Sequence, residues 1–220
     1  MIKQLIFDCD GVLVDSEIIA ARVMVELFAK YDIEISLDFY LTQCTGKTFT
    51  GLKKEISEKF GKPLPDNFSL QITKMFDARA KKELIPVKGI ESVLENSSLP
   101  KAVVSNSDIY QIEHAINHVS IAHHFNSGIF SSEMVQNPKP SPDVYFLAAE
   151  TIKVHPSACL VVEDSKSGAT AALEAGMTVI GFIGGSHIMN GHAQKLKSLG
   201  VHAIARDSNE LLKCIHKFSS

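Results

Sequence analysis

The sequence predicts an α/β protein: a parallel β-sheet with helices on both faces, interrupted early by a helical insertion. Three observations carry that reading. From Lys101 onward, short apolar runs alternate with helix-length amphipathic segments, the pattern of βαβ units. Three of the runs, Leu5-Ile6-Phe7, Ala102-Val103-Val104 and Leu160-Val161-Val162, are followed at once by polar clusters, at Asp8, Ser105-Asn106 and Glu163-Asp164. Between the first strand and the rest, Ser36 to Lys82 is amphipathic and lysine-rich and contains no convincing strand.

Taken in order, Ile2 to Phe7 is an apolar run that fits a central strand. Glu17 to Lys30 changes to a helical period, with Ile18, Ala21, Val25 and Phe28 on one stripe. Thr48 to Phe60 and Asn67 to Lys82 read as helices separated by the breaker Gly61-Lys62-Pro63-Leu64-Pro65. A re-entry linker is expected near Leu84-Ile85-Pro86-Val87. The remaining strands are predicted over Lys101–Ser105, Ile129–Phe130, Leu160–Glu163, Thr178–Ile183 and His202–Ile204. Helices are predicted over Ile109–His118, Pro142–Ile152, Ser167–Ala175, His192–Leu199 and Ser208–His216. Ser141-Pro142 reads as an N-cap hydroxyl followed by proline at the first helical position, and Asp207 with Glu210 as a capping box. The predicted division is residues 1–15 with 84–220 as the catalytic core and 16–83 as a helical cap.

Composition narrows the function. The 220 residues are 45% hydrophobic and 21% charged with a net charge of -3, an ordinary globular balance without the basic face that nucleic acid or a polybasic membrane anchor requires. Small molecules are the expected partners, with no nucleic acid and no membrane, and a monomer or weak dimer is the expected state. Cys9, Cys44, Cys159 and Cys214 form no C-x-x-C pair, so reduced, mostly buried thiols and a cytoplasmic setting are expected. No leader or long apolar span is read at the start of the sequence. The nine histidines show no metal-ligand spacing and read as surface or capping residues.

In open parallel sheets ligands bind outside the carboxyl ends of the strands, so the three polar clusters are expected to share one crevice. Asp8 and Asp10, two apart on extended chain, face the same way. Two bare carboxylates in contact repel by about 1 kcal/mol in water and about 4 near a protein surface, which a hard divalent cation offsets. Taken alone, D-x-D-G is equally compatible with two solvated acids at a turn, Gly11 supplying the positive φ. Lys139, stiffened between Pro138 and Pro140, is either a solvated loop lysine or a cation aimed at the crevice. Jointly these residues suit phosphoryl transfer through a carboxylate: Asp8 as nucleophile, Asp10 as general acid and base, Lys139 as charge compensator. Ser105 and the adjacent amide at Asn106 would hold a phosphate oxygen. Mg²⁺ would be ligated by Asp8, the Asp10 carbonyl and Asp164, with Glu163 direct or through water.

Four segments, Asp8-Cys9-Asp10-Gly11-Val12-Leu13-Val14-Asp15-Ser16-Glu17, Val104-Ser105-Asn106, Lys139-Pro140-Ser141-Pro142-Asp143 and Val162-Glu163-Asp164-Ser165, resemble in order and spacing the four motifs of the haloacid dehalogenase superfamily. The resemblance spans nearly the whole chain and is nearest to subfamily IA, the phosphoglycolate phosphatase and β-phosphoglucomutase group. It implies a Rossmann-like three-layer core, a Mg²⁺ cofactor and an inserted α-helical C1-type cap that closes over substrate. Dehalogenases of the superfamily lack the second motif aspartate; Asp10 is present here. The mutases use a histidine shortly after the first motif, where this chain reads Glu17-Ile18-Ile19-Ala20-Ala21-Arg22. The expectation is therefore a phosphomonoester hydrolase acting on a sugar phosphate, sugar-acid phosphate or phosphoglycolate-like substrate. A sugar phosphate mutase is the alternative, and a non-catalytic metabolite- or protein-binding member a further one. Gly46 and Lys47 lie where cap residues of relatives reach into the crevice; Lys47 and Arg22 have a second reading as solvated cations. Gly184-Gly185-Ser186-His187 is a candidate for the site rim, or only a turn.

Overall fold

The computed structural model describes residues 1–45 and 49–219, and the expectations placed on Gly46 and Lys47 lie outside them. The chain divides into two compact units, Met1–Asp15 with Ile85–Ser220, and Ser16–Leu84.

The first unit is built on β1 (Gln4–Phe7), β2 (Lys101–Ser105), β3 (Ile129–Ser131), β4 (Cys159–Glu163), β5 (Thr178–Phe182) and β6 (Ala203–Ala205). They form one sheet in the order β3-β2-β1-β4-β5-β6, every neighbouring pair parallel. The predicted α/β class is therefore the observed one. Because chain order runs outward from β1 in both directions, the switch point falls between β1 and β4. Register fixes what stands there: Phe7 is level with Val103 on one side and Val162 on the other, so Asp8 emerges beside the polar ends of β2 and β4.

Alternation along the buried strands sends Ile6, Val104, Val161 and Val179 into one cluster with Val144, Tyr145 and Ala148 of α7 (Asp143–Ile152) and Ala169, Ala171 and Ala172 of α8 (Lys166–Glu174). The opposite face carries Leu5, Phe7, Val103, Leu160, Val162 and Ile180, all fully buried, and Phe7 meets Phe125 edge-on. Each such aliphatic or aromatic side chain stabilises the fold by about 1.5–3 kcal/mol relative to exposure.

The second unit holds α1 (Ser16–Ala29), α2 (Leu37–Gln43), α3 (Phe49–Phe60) and α4 (Phe68–Glu83). Met24, Leu27, Phe28, Ile33, Cys44, Leu52, Ile56, Leu64 and Phe68 form its core, with Phe28 stacked on Phe68 at 5.5 Å between centroids. Among the described residues no helix is long and apolar enough to cross a membrane. Cys9, Cys44, Cys159 and Cys214 are all reduced thiols outside any disulfide.

Some local expectations are corrected. The α2 helix, absent from the sequence reading, is nucleated by Ser36, whose side chain accepts from Phe39 N, and it buries no residue, so no apolar stripe announces it. A further helix over Ile90–Asn96 was likewise missed, being only seven residues long. The helix expected from Pro142 starts at Asp143, with Pro142 at the cap position; the Ser141 hydroxyl donates to Asp143 Oδ1 instead of accepting from the backbone. At the helix Ser208–Ser219, Asp207 accepts from Glu210 N as predicted, but Glu210 returns its bond to Arg206 N, one residue early for a capping box.

Candidate active site

The chain leaves β1 at Phe7 and turns. Asp8 N still donates to Val162 O, then Leu13 N and Val14 N both fold back to Cys9 O. Gly11 takes φ 77°, and a Cβ there would stand 2.0 Å from Asp164 Oδ2, so glycine is required twice over, by conformation and by space. This turn brings the two carboxylates of the first motif to the sheet's carboxyl edge: Asp8 buried, Asp10 half-buried.

Lys139 is the hub. Its Nζ lies 2.7 Å from Asp8 Oδ1, 2.7 Å from Glu163 Oε1 and 2.9 Å from Val104 O, which uses all three donors of the ammonium. The side chain is 3% exposed and sits over the Tyr145 ring. Burial works against its charge, but Asp8 and Glu163 outweigh it and hold the amine well above the usual lysine range. The reading of Lys139 as a solvated loop residue is thereby excluded. Asn106 sets its place: the side-chain amide accepts from Lys139 N and donates to Lys139 O, at 3.0 and 3.1 Å.

Glu163 is wholly buried and fully engaged. Oε1 accepts from Lys139 and from the Tyr145 hydroxyl at 3.2 Å; Oε2 accepts from the backbone and hydroxyl of Ser165 at 3.1 and 2.9 Å. A Cβ at Gly168 would fall 1.5 Å from Glu163 Oε1, so α8 closes on the carboxylate only because glycine stands there. Asp164, next along, is 3% exposed; its Oδ2 lies 3.1 Å from His187 Nε2, and its carbonyl meets His192 Nε2. Asp10 Oδ2 accepts from Ser107 at 2.7 Å and more distantly from Ser105 at 3.4 Å. The loop that carries these serines is tied to β3 by Ser131 Oγ donating to Ser107 O and Ser132 Oγ to Asn106 O, each at 2.8 Å.

The predicted residues Asp8, Asp10, Ser105, Asn106, Lys139, Glu163 and Asp164 thus lie together in the first unit, Lys139 bonded to Asp8, Glu163 and Asn106, Ser105 to Asp10, and Asp164 within 4.8 Å of Asp8 and Glu163. Sequence reasoning missed Ser107, Tyr145 and His192; the loop Gly184-Gly185-Ser186-His187, a candidate for the rim, brings His187 against Asp164. The reading of all histidines as surface or capping residues is corrected at His187, which is 7% exposed and faces Asp164. Its signal was positional: it follows β5, the strand beside β4.

Electrostatically the site sets the carboxyls of Asp8, Asp10, Glu163 and Asp164 around Lys139. Burial pushes Asp8 well above the carboxylate range, Lys139 opposing and Glu163 and Asp164 adding to the rise; burial, then Glu163 and Asp10, push Asp164 the same way. Oxygen atoms of Asp8, Glu163 and Asp164 lie within 4.8 Å of one another. An all-oxygen, acid-rich, buried donor set fits a hard divalent cation.

Comparison with known proteins shows the family. The family model described as haloacid dehalogenase-like hydrolase matches residues 5–182. The chain is 29% identical over 191 residues to the 6-phosphogluconate phosphatase of Escherichia coli, covering 84% of this chain and 85% of that protein. A haloacid dehalogenase-like protein from Agrobacterium tumefaciens superposes with a TM-score of 0.94 at 30% identity, over 100% of both chains. A family hydrolase from Deinococcus radiodurans, solved with bound phosphate and sodium, gives 0.85 at 27% identity, over 99% of this chain and 96% of that one. The matched model covers most of the chain, and the protein belongs to the haloacid dehalogenase-like hydrolase family.

Proposed function

We propose that the protein is a Mg²⁺-dependent phosphatase that hydrolyses a small sugar phosphate or sugar-acid phosphate through an aspartyl-phosphate on Asp8. Relatives named as phosphatases, among them the Escherichia coli 6-phosphogluconate enzyme, support the class of phosphoric monoester hydrolase. The observation that carries the mechanism is the buried bridge from Lys139 Nζ to Asp8 and Glu163.

With Oδ1 of Asp8 tied to Lys139, Oδ2 is the oxygen that attacks phosphorus. The P–O bond to the sugar breaks as the Asp8–phosphorus bond forms, and Asp10 gives its proton to the departing alkoxide. Asp10, now ionised, takes a proton from water as that water attacks the acyl phosphate; inorganic phosphate leaves and Asp8 is restored. Ser107 orients Asp10 for both transfers. Lys139 offsets the charge that otherwise opposes a carboxylate approaching a phosphate dianion, and Glu163 holds Lys139 in place. Asp8, the Asp10 carbonyl and Asp164, with Glu163 direct or through water, would hold Mg²⁺, and the ion would add further neutralisation of charge on the transferring group. Ser105 and Asn106 belong to the phosphate-binding loop at the end of β2. Gly46 and Lys47 are assigned to substrate selection, with the helical unit as the cap. A small phosphorylated metabolite in the cytoplasm is the partner this reading requires.

Released phosphate from a panel of sugar and sugar-acid phosphates tests the proposal. Turnover with Mg²⁺ is expected, with Asp8→Asn reducing it by at least about 10³-fold. Inertness of the wild type across the panel in the presence of metal overturns the enzyme reading. Conversion of β-glucose 1-phosphate to the 6-phosphate instead of free glucose would make it a mutase.

A further inference from the structure

The loop after β5 returns to the crevice and seats one imidazole there. His187 is 7% exposed, with Nε2 3.1 Å from Asp164 Oδ2. Its ring occupies a slot between two glycines. A Cβ on Gly11 would lie 2.7 Å from the ring's Cε1, and one on Gly185 2.9 Å from Cε1 and Nδ1. The slot is therefore cut to the ring, and its first wall is the D-x-D-G turn itself. Ser186 N, donating to Asp15 Oδ1 at 3.1 Å, and Ile188 N, donating to Gly185 O at 3.2 Å, hold the loop closed around it. On the main-chain side His192 Nε2 meets the Asp164 carbonyl. Two imidazoles from one loop and the helix that follows thus grip a single aspartate, one at its backbone and one at its carboxylate.

We propose that His187 is a positioning residue for the divalent-cation site: its Nε2–H fixes Oδ2 of Asp164 and so sets the plane in which that carboxylate meets the ion. The inference rests on the metal-dependent reading above. An aspartate on the end of a strand otherwise rotates about its side-chain torsions, and each rotation withdraws a ligand oxygen. Hydrogen-bonded partners of ligating carboxylates change metal affinity by about 10- to 100-fold when removed. Glu163, with both oxygens already claimed by Lys139, Tyr145 and Ser165, has its orientation fixed by protein donors. His187 does for Asp164 what those groups do for Glu163.

Calorimetric titration of MgCl₂ into the wild type, His187→Ala and His187→Gln tests this on the whole chain. His187→Ala is expected to weaken Mg²⁺ binding by about 10- to 100-fold. It should raise the Mg²⁺ concentration for half-maximal turnover by the same factor. Glutamine carries its amide nitrogen to the place of Nε2 and is expected to restore most of the affinity. If His187→Ala does not fold, His187→Asn, whose amide stops short of Oδ2, must show the same weakening. Equal Mg²⁺ affinity in wild type and variant overturns the positioning role and leaves the metal-dependent reading intact. A glutamine variant as weak as the alanine one also overturns it, since ring shape and not the hydrogen bond would then matter. A wild type that binds no Mg²⁺ brings down the metal-dependent reading, and this inference with it.

Discussion

The carboxyl edge of the sheet and the helical unit spend buried volume differently. At the sheet edge Lys139, Glu163, Asp164 and Asp8 are buried ionisable groups, and all three donors of Lys139 and both oxygens of Glu163 have named partners. In the helical unit the core is Phe28, Phe68, Ile33, Leu52 and their neighbours, and its ion pairs, such as Arg79 with Glu26, lie at the surface. Apolar packing tolerates approximate partners, because dispersion and burial are not directional. A buried charge network does not: one missing partner leaves a bare charge in low dielectric. The first arrangement depends on particular partners, and the second on filled volume.

Removing the hub breaks the comparison most severely. Lys139→Met keeps the volume but leaves Asp8 and Glu163 without their shared cation and Val104 O without a donor. Breaking one side of a buried pair costs about 3–5 kcal/mol, and turnover should vanish with it. Urea melts of the variant check the stability loss, and phosphate release checks the activity. A variant as stable as the wild type would show that the bridge is not holding the edge together.

Phe68→Ala removes an equally buried side chain from the other region, at an expected cost of about 3–5 kcal/mol. Here the loss should stay local. Native-state hydrogen exchange is expected to quicken over residues 16–84 while amides of β1 and β4 keep their protection. Uniform loss of protection would mean the two units do not unfold separately.

Metal and pH sharpen the contrast, since only the sheet edge should respond to them. Asp8 and Asp164 have folded pKa values raised above the ordinary 3.8. An acid raised in this way costs nothing below its unfolded pKa; the cost appears as pH climbs past that value, because the unfolded chain ionises first, and it grows until the raised folded value is reached. Metal-free protein should therefore lose stability from about pH 4 toward neutrality relative to Asp164→Asn. Mg²⁺ at a hundred times its neutral-pH Kd should return about 2.7 kcal/mol near neutrality and less at pH 4, where protons compete with the ion for the raised acids. Melting curves with Mg²⁺ or EDTA at the two pH values decide it; an identical Mg²⁺ shift at both rules the acids out.

The same contrast explains what could be read in the sequence. Strands buried on both faces appear as continuous apolar runs, so β1, β2 and β4 and the acids that end them were visible, and parallel topology brings such ends together. Lys139 stood out through its flanking prolines. What could not be read depends on partners remote in sequence. Ser107 acquires its meaning from Asp10, 97 positions away, and His187 from a carboxylate one strand over. The Ser141 cap failed because Asp143, two residues on, is a stronger acceptor for the same hydroxyl than the role assigned to it allowed. Short helices such as Leu37–Gln43 bury no residue fully, Phe39 and Tyr40 only partly, and seven residues are too few to show a period.

The smallest expected effect isolates burial as the cause of these differences. Arg79 and Glu26 join α4 to α1 with the same charges as Lys139 and Glu163, but their side chains are 33% and 42% exposed against 3% and 0%. Water solvates each partner when the other is lost, and salt screens the pair, so such contacts contribute about 0–1 kcal/mol. Arg79→Gln should therefore shift the urea midpoint slightly, lose even that shift in 1 M NaCl, and leave phosphate release unchanged. A double variant with Glu26→Gln should show a coupling energy under about 1 kcal/mol. If Arg79→Gln instead cost as much as Lys139→Met, solvent exposure would not be what separates the two regions, and the sheet edge would owe its sensitivity to something other than buried charge.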